Sequence, residues 1–210
     1  GWHSGFVIAK NERLNFDNKN HFSFFYNLSP KIAVISDLKK LPIPLQSMLE
    51  VFTGSSENIK LIPDDKLYFD YLKDFNVVVV YTRNELPVSL SFLLDKLTDT
   101  ENGIIFITDV NLNNQWKDYL SDKFSIKFKE FYSSNSKKYI SNFNRFHKIT
   151  RLLDTNKIKL IAVTDFWETI TNDYSNTLIQ TDNSSLILEK GNSYLWNFDP
   201  RALNNQLFVD

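Results

Sequence analysis

Val77-Val78-Val79-Val80, followed by Tyr81-Thr82-Arg83-Asn84, is the stretch that decides how the rest of the chain is read. A short β-branched run with no polar alternation reads as a strand buried on both faces, the mark of a parallel sheet. Three runs of the same kind surround it: Ile32-Ala33-Val34-Ile35, Ile59-Lys60-Leu61-Ile62 and Ile104-Ile105-Phe106-Ile107. Helical spacing fills the gaps. Leu45, Met48, Leu49 and Phe52 fall at i, i+3, i+4, i+7, as do Tyr68, Tyr71, Leu72 and Phe75, and then Leu90, Leu93, Leu94 and Leu97. Leu112, Trp116, Tyr119 and Leu120 form a fourth stripe. Each stripe gives one apolar face to lie on a sheet.

The punctuation between these elements agrees. Pro42 and Pro44 open the first helix and Gly54 sits where a left-handed cap would close it. Asp64 and Asp65 are placed to cap the second helix and Asn111 the fourth, and Asn102-Gly103 turns the chain into the fourth strand. Strand and helix alternating in this way predict an α/β fold: an open, mostly parallel sheet with helices on both faces, in the flavodoxin-like strand order 2-1-3-4-5. Phe124–Phe128, where Phe, Ile and Phe alternate with Ser and Lys, is read as the fifth strand at a half-exposed edge.

Strands are added at both ends. Residues 1–28 read as an N-terminal β-hairpin extension, with Phe22, Phe24 and Tyr26 on one face and a turn at Asp17-Asn18-Lys19-Asn20. Residues 29–210 read as one compact α/β unit. Within it 132–157 lacks a clear period, and strand pattern returns at Ile158–Val163. Thr177–Gln180, Ser185–Leu188 and Tyr194–Phe198 then form an antiparallel meander.

Composition removes several chemistries. The 210 residues contain no cysteine, so thiolate metal sites and cysteine nucleophiles are excluded. The five glycines are too scattered for a dinucleotide fingerprint or a P-loop. With 24 basic and 25 acidic side chains the net charge is −1, which argues against a nucleic-acid partner. No stretch approaches the roughly 18 consecutive apolar residues of a membrane span. The start, Gly1-Trp2-His3-Ser4-Gly5, is not a signal peptide, and Met48 is the only methionine, so a piece of a longer or processed protein is expected.

Ligands of open α/β sheets bind beyond the carboxyl ends of the strands. Those ends supply Asp37, Thr82, Arg83, Asn84 and Asp109 as candidate ligand-binding residues, with Pro63-Asp64-Asp65 beside them. The same polar residues also suit loop starts and helix caps, so both readings stay open. The histidines, His3, His21 and His147, lack metal-ligand spacing, and no serine sits in a Gly-x-Ser-x-Gly elbow. No metal or cofactor is expected. Trp2, Trp167 and Trp196 lie outside the central βα units and would mark a docking patch if they cluster.

Trp2, Gly5, Phe16-Asp17-Asn18 and Phe22-Ser23 carry a resemblance, continued by Lys31–Asp37, by residues 75–80, by Asn102-Gly103 and by Gly191–Pro200 with Asn204-Asn205. This pattern resembles Bat-type (BatA-like, aerotolerance-type) bacterial proteins. The resemblance implies a class I glutamine amidotransferase-like fold, a relative of the flavodoxin fold. It also implies a parent anchored in the inner membrane by helices outside this chain, with the periplasm as the expected side. Amidotransferases of this class carry a Cys nucleophile after a central strand. Here Ile104–Ile107 is followed by Thr108-Asp109-Val110, so the chemistry does not carry over. Nor does a von Willebrand A metal site of Asp-x-Ser-x-Ser form, because Asp37 is followed by Leu38-Lys39-Lys40-Leu41. The function expected is a non-catalytic interaction or scaffold module with a protein or neighbouring-domain partner. A small-ligand or sensor site at the carboxyl edge is the first alternative. A hydrolase with an unrecognised serine is the second.

Overall fold

A computed structural model describes residues 29–133, 137–151, 153–171 and 176–199, and the backbone alone of 2–8 and 19–25. Strands β1 (Trp2–Ile8) and β2 (Lys19–Phe25) pair antiparallel along their length, as the predicted hairpin requires. Its turn residues Asp17 and Asn18, and the side chains of Phe22, Phe24 and Tyr26, lie outside the description.

The α/β units follow in order. They are β3 (Ile32–Ile35), α1 (Ile43–Thr53), β4 (Ile59–Leu61), α2 (Phe69–Leu72), β5 (Val77–Tyr81), α3 (Val88–Thr98), β6 (Gly103–Ile107) and α4 (Asn114–Phe124). The two faces of the sheet are separated by strand parity. Ala33, Ile35, Val78 and Val80 meet Leu72 of α2, Leu90, Leu94 and Leu97 of α3, and Trp116 and Leu120 of α4. Their neighbours Ile32, Val34, Val79 and Tyr81 meet Leu45 and Leu49 of α1 on the other side. Pro42 precedes α1, and Gly54 closes it at φ 71° with its N–H on the Glu50 carbonyl at 2.8 Å. A side chain there would be strained, which is why glycine stands at this cap.

The remainder of the chain runs through β7 (Ile126–Tyr132), β8 (Lys138–Tyr139), β9 (Asn142–Phe143), α5 (Thr155–Ile158), β10 (Ala162–Val163), β11 (Phe166–Thr171), β12 (Thr177–Gln180), β13 (Ser185–Lys190) and β14 (Ser193–Trp196). Among the described residues the main sheet has eight strands in the order β4-β3-β5-β6-β14-β13-β12-β9. The first five run parallel and the last three steps are antiparallel, so the sheet is mixed rather than mostly parallel.

The fifth strand is the main correction. The place beside β6 belongs to β14, which pairs from Ser193↔Ile104 to Trp196↔Ile107. Phe124 ends α4, Ser125 turns the chain in the left-handed region at φ 56°, and β7 leaves to pair antiparallel with β11 in a separate ribbon. The reason is charge. Lys127, Lys129 and Glu130 of β7 stay exposed, and a central strand with both faces covered cannot bury them. In β14, Ser193 and Leu195 are completely buried.

Smaller expectations also change. Asp64 and Asp65 form a 3₁₀ turn with Lys66 instead of capping α2, which is one turn long. The cap of α4 is Asn113, whose side chain accepts from the Trp116 N–H at 3.0 Å, not Asn111. Of the strand expected at Ile158–Val163, Ile158 ends α5, which Asp154 caps by accepting from the Asn156 and Lys157 N–H groups, and only Ala162–Val163 form a strand, β10. Within 132–157, β8 pairs with β10 and β9 forms an edge of the sheet, while Ile140 and Phe143 enter a second apolar core with Phe166, Leu178 and Leu186. The meander over β12, β13 and β14 is as read. No described helix is long and apolar enough to cross a membrane.

Because β14 joins the parallel and antiparallel halves, Leu195→Ala is expected to destabilise the protein by about 2–5 kcal/mol, whereas Val51→Ala on exposed α1 changes stability by less than about 0.5 kcal/mol. Urea unfolding of the two variants checks the contrast.

Candidate functional site

Asp37 follows β3, Asp64 follows β4, Thr82-Arg83-Asn84 follow β5 and Asp109 follows β6, so parallel strand ends bring all of them to one rim. Three of the five predicted residues form one cluster. Arg83 donates from Nε to Asp37 Oδ1 at 2.6 Å, and the backbone N–H of Asn84 donates to Asp37 Oδ2 at 2.8 Å. The outer end of the guanidinium donates from its two terminal nitrogens to Asp64, at 2.9 and 3.2 Å. Burial alone would weaken the guanidinium's hold on its proton. The hydrogen bonds and charges of Asp64 and Asp37 outweigh that and hold it above its ordinary range.

Thr82 and Asp109 form a neighbouring pair instead of joining this cluster. Thr82 Oγ1 accepts from the Asp109 N–H at 3.1 Å. The Asp109 side chain accepts from the Asn111 N–H at 2.5 Å, and its carbonyl accepts from Trp167 Nε1 at 2.8 Å. The Trp167 indole also carries the Lys117 ammonium 3.9 Å from its ring centroid. So β11 is tied to the β6 end of the rim. At the β3–β4–β5 end the rim opens into a cleft of about 300 Å³ that includes Asp37, Asp64 and Arg83. Asp64 was missed as a site residue. Its position after an aliphatic run was the available signal, and the pairing with Arg83 19 residues later was not visible in any local spacing.

Among the described side chains the tryptophans do not make a docking patch. Trp167 is buried against Phe128 and Phe131, Trp196 stacks on Phe198, and the Trp2 side chain lies outside the description.

A second polar cluster lies on the antiparallel half of the sheet. His147 Nε2 meets Glu189 Oε2 at 2.7 Å, while its Nδ1 accepts from the Ile149 N–H at 3.2 Å. Tyr194 donates to the other Glu189 oxygen at 2.6 Å, and burial together with that carboxylate raises the phenol's pKa. Nothing in the sequence signals this cluster, because His147 and Glu189 are far apart along the chain.

Asp37 has both oxygens committed and Asp64 is largely exposed. Asp37→Ala is therefore expected to cost about 1–3 kcal/mol of stability, and Asp64→Ala less than about 1 kcal/mol. Equal losses in chemical denaturation would contradict this division.

No protein-family model matches the sequence, and no curated protein matches it. Among solved structures, the chain is similar to a ThuA-like protein from Bacteroides uniformis, with a TM-score of 0.59 at 11% identity over 89% of this chain and 88% of that one. It is also similar to the mmIFT52 N-terminal domain, with a TM-score of 0.58 at 8% identity over 86% of this chain and 90% of that one. At such identities the likeness is one of fold. ThuA-like proteins have a glutamine amidotransferase-like fold, and an α/β fold of that kind is what the mixed sheet and its helices build here.

Proposed function

We propose that this chain is a non-catalytic, glutamine amidotransferase-like interaction module. The observation that carries the reading is the end of β6, where amidotransferases of the class place their nucleophile. The residue standing there is Thr108, fully buried, with its hydroxyl and its backbone N–H both directed to the Trp196 carbonyl. A hydroxyl with no access to substrate cannot open an acyl-transfer reaction. The described histidine side chain supports the same reading. A general base needs a free ring nitrogen facing the nucleophile, and His147 spends one on Glu189 and the other on a backbone amide. It meets no serine, so the hydrolase alternative has no support among the described side chains.

Interaction is favoured by apolar groups left in water beside the second core. Phe146 is 99% exposed, and Tyr139, Ile149 and Leu160 are exposed on the same stretch of chain. Exposed aromatic and aliphatic groups of this size suit a protein partner or a neighbouring domain. The Bat-type sequence pattern is what suggests a membrane-anchored parent with this domain in the periplasm.

A second reading, a small-ligand site, is favoured by one observation: the cleft at the β3–β4–β5 end is open and holds a partly buried cation, Arg83.

Phe146→Ser is expected to leave stability within about 0.5 kcal/mol of the parent while abolishing retention of a partner that the parent chain retains from its source extract. Glutaminase or esterase turnover above a buffer control, removed by a single substitution, would overturn the non-catalytic reading.

A further inference from the structure

The Arg83 cleft is built asymmetrically. Asp37 accepts from Nε on one side, and the Asn84 backbone N–H holds the other Asp37 oxygen, so the guanidinium is oriented from within the chain. Its other end presents a planar, two-pronged donor edge to the cleft. That edge is occupied by Asp64, a residue of the exposed 3₁₀ turn Asp64–Lys66. The Arg83 side chain is 14% exposed and that of Asp64 is 76% exposed. A carboxylate as exposed as Asp64 regains its hydration on leaving, and exposed ion pairs are individually weak. A guanidinium as covered as Arg83 needs an anion at that edge.

The remaining walls are Ser36, whose hydroxyl accepts from the Leu38 N–H at 3.1 Å, and Leu38, Leu61, Ile62 and Pro63, which leave apolar surface beside the charged edge. The occupant that fits is a planar carboxylate with a short aliphatic tail. Asp37 and the displaced Asp64 would repel a second negative charge, so a monocarboxylate suits the cleft better than phosphate or a dicarboxylate.

We propose that the Arg83 cleft is a carboxylate-binding site that the chain's own Asp64 holds shut by occupying the donor edge a ligand carboxylate would take. This rests on the small-ligand reading above and adds its ligand class and its gate. A tethered competitor lowers apparent affinity by the fraction of time it occupies the site.

The test is titration of the full chain with hexanoate, followed by the NMR resonance of the Arg83 side-chain Nε–H and by thermal shift. Hexylamine and inorganic phosphate serve as controls. Asp64→Ala is expected to bind hexanoate about two- to fivefold more tightly than the parent chain, the gain that removing a competitor held by a weak exposed ion pair allows. Arg83→Lys in the Asp64→Ala background keeps the charge, loses the two-pronged edge, and is expected to lose that gain. Equal affinity in the parent and in Asp64→Ala, with loss on Arg83→Lys, overturns the gate and leaves the ligand site standing. No binding to either chain overturns both. Hexylamine or phosphate bound as tightly as hexanoate overturns the assigned ligand class.

Discussion

A strand covered on both faces has no place for a charge, and the architecture follows from that constraint. Val78, Val79 and Val80 of β5 are completely buried, one parity against α2, α3 and α4 and the other against α1. A strand flanked on both sides in this part of the sheet must meet the same demand, whereas β4 at the edge keeps Lys60 exposed. β14 meets it and β7 does not, so the chain passes over the nearer segment and brings back one from almost 70 residues later to lie beside β6. The antiparallel half is attached through that choice, because β12 and β13 come just before β14 in the chain and are joined to it by short turns.

The same arrangement disposes of the polar residues at the rim. Parallel strands end on one side, so Asp37, Asp64, Thr82, Arg83 and Asp109 converge there whatever their purpose. What separates them is coverage. At the β6 end, Trp167 donates to the Asp109 carbonyl and the pair Thr82–Asp109 is absorbed into backbone bonding. At the β3–β4–β5 end nothing comparable among the described residues lies over the strands, and Arg83 faces a cleft between a fixed carboxylate and an exposed one. A rim of this kind is closed where the second half of the sheet is docked and open where it is not.

Buried polar groups elsewhere serve packing. Thr169, Thr177, Ser184 and Ser185 bond to one another where β11 meets the β12–β13 pair, and Asn197 donates to the Trp167 and Ser185 carbonyls. These bonds join the β7–β11 ribbon to the main sheet, and so hold Trp167 at the rim. Tyr119 and Lys123 do related work between α3 and α4. Tyr119 donates to Asp95, and Lys123 bonds Thr98 while its ammonium lies near the Phe106 and Tyr119 rings.

The βα units, the strands buried on both faces, the Gly54 cap and the strands of the meander are all legible in the residue pattern. These depend on residue type and on periods of two and 3.6, which are local properties. The same pattern also places Asp37, Thr82, Arg83, Asn84 and Asp109 at strand ends. That β14 rather than residues 124–128 completes the parallel set, that Asp64 belongs with Arg83, and that His147 is engaged by Glu189 emerges only from the packed chain. Each of these pairs residues distant in the chain, and the selection is made by which segment can lose its water, a competition that no local window of sequence contains.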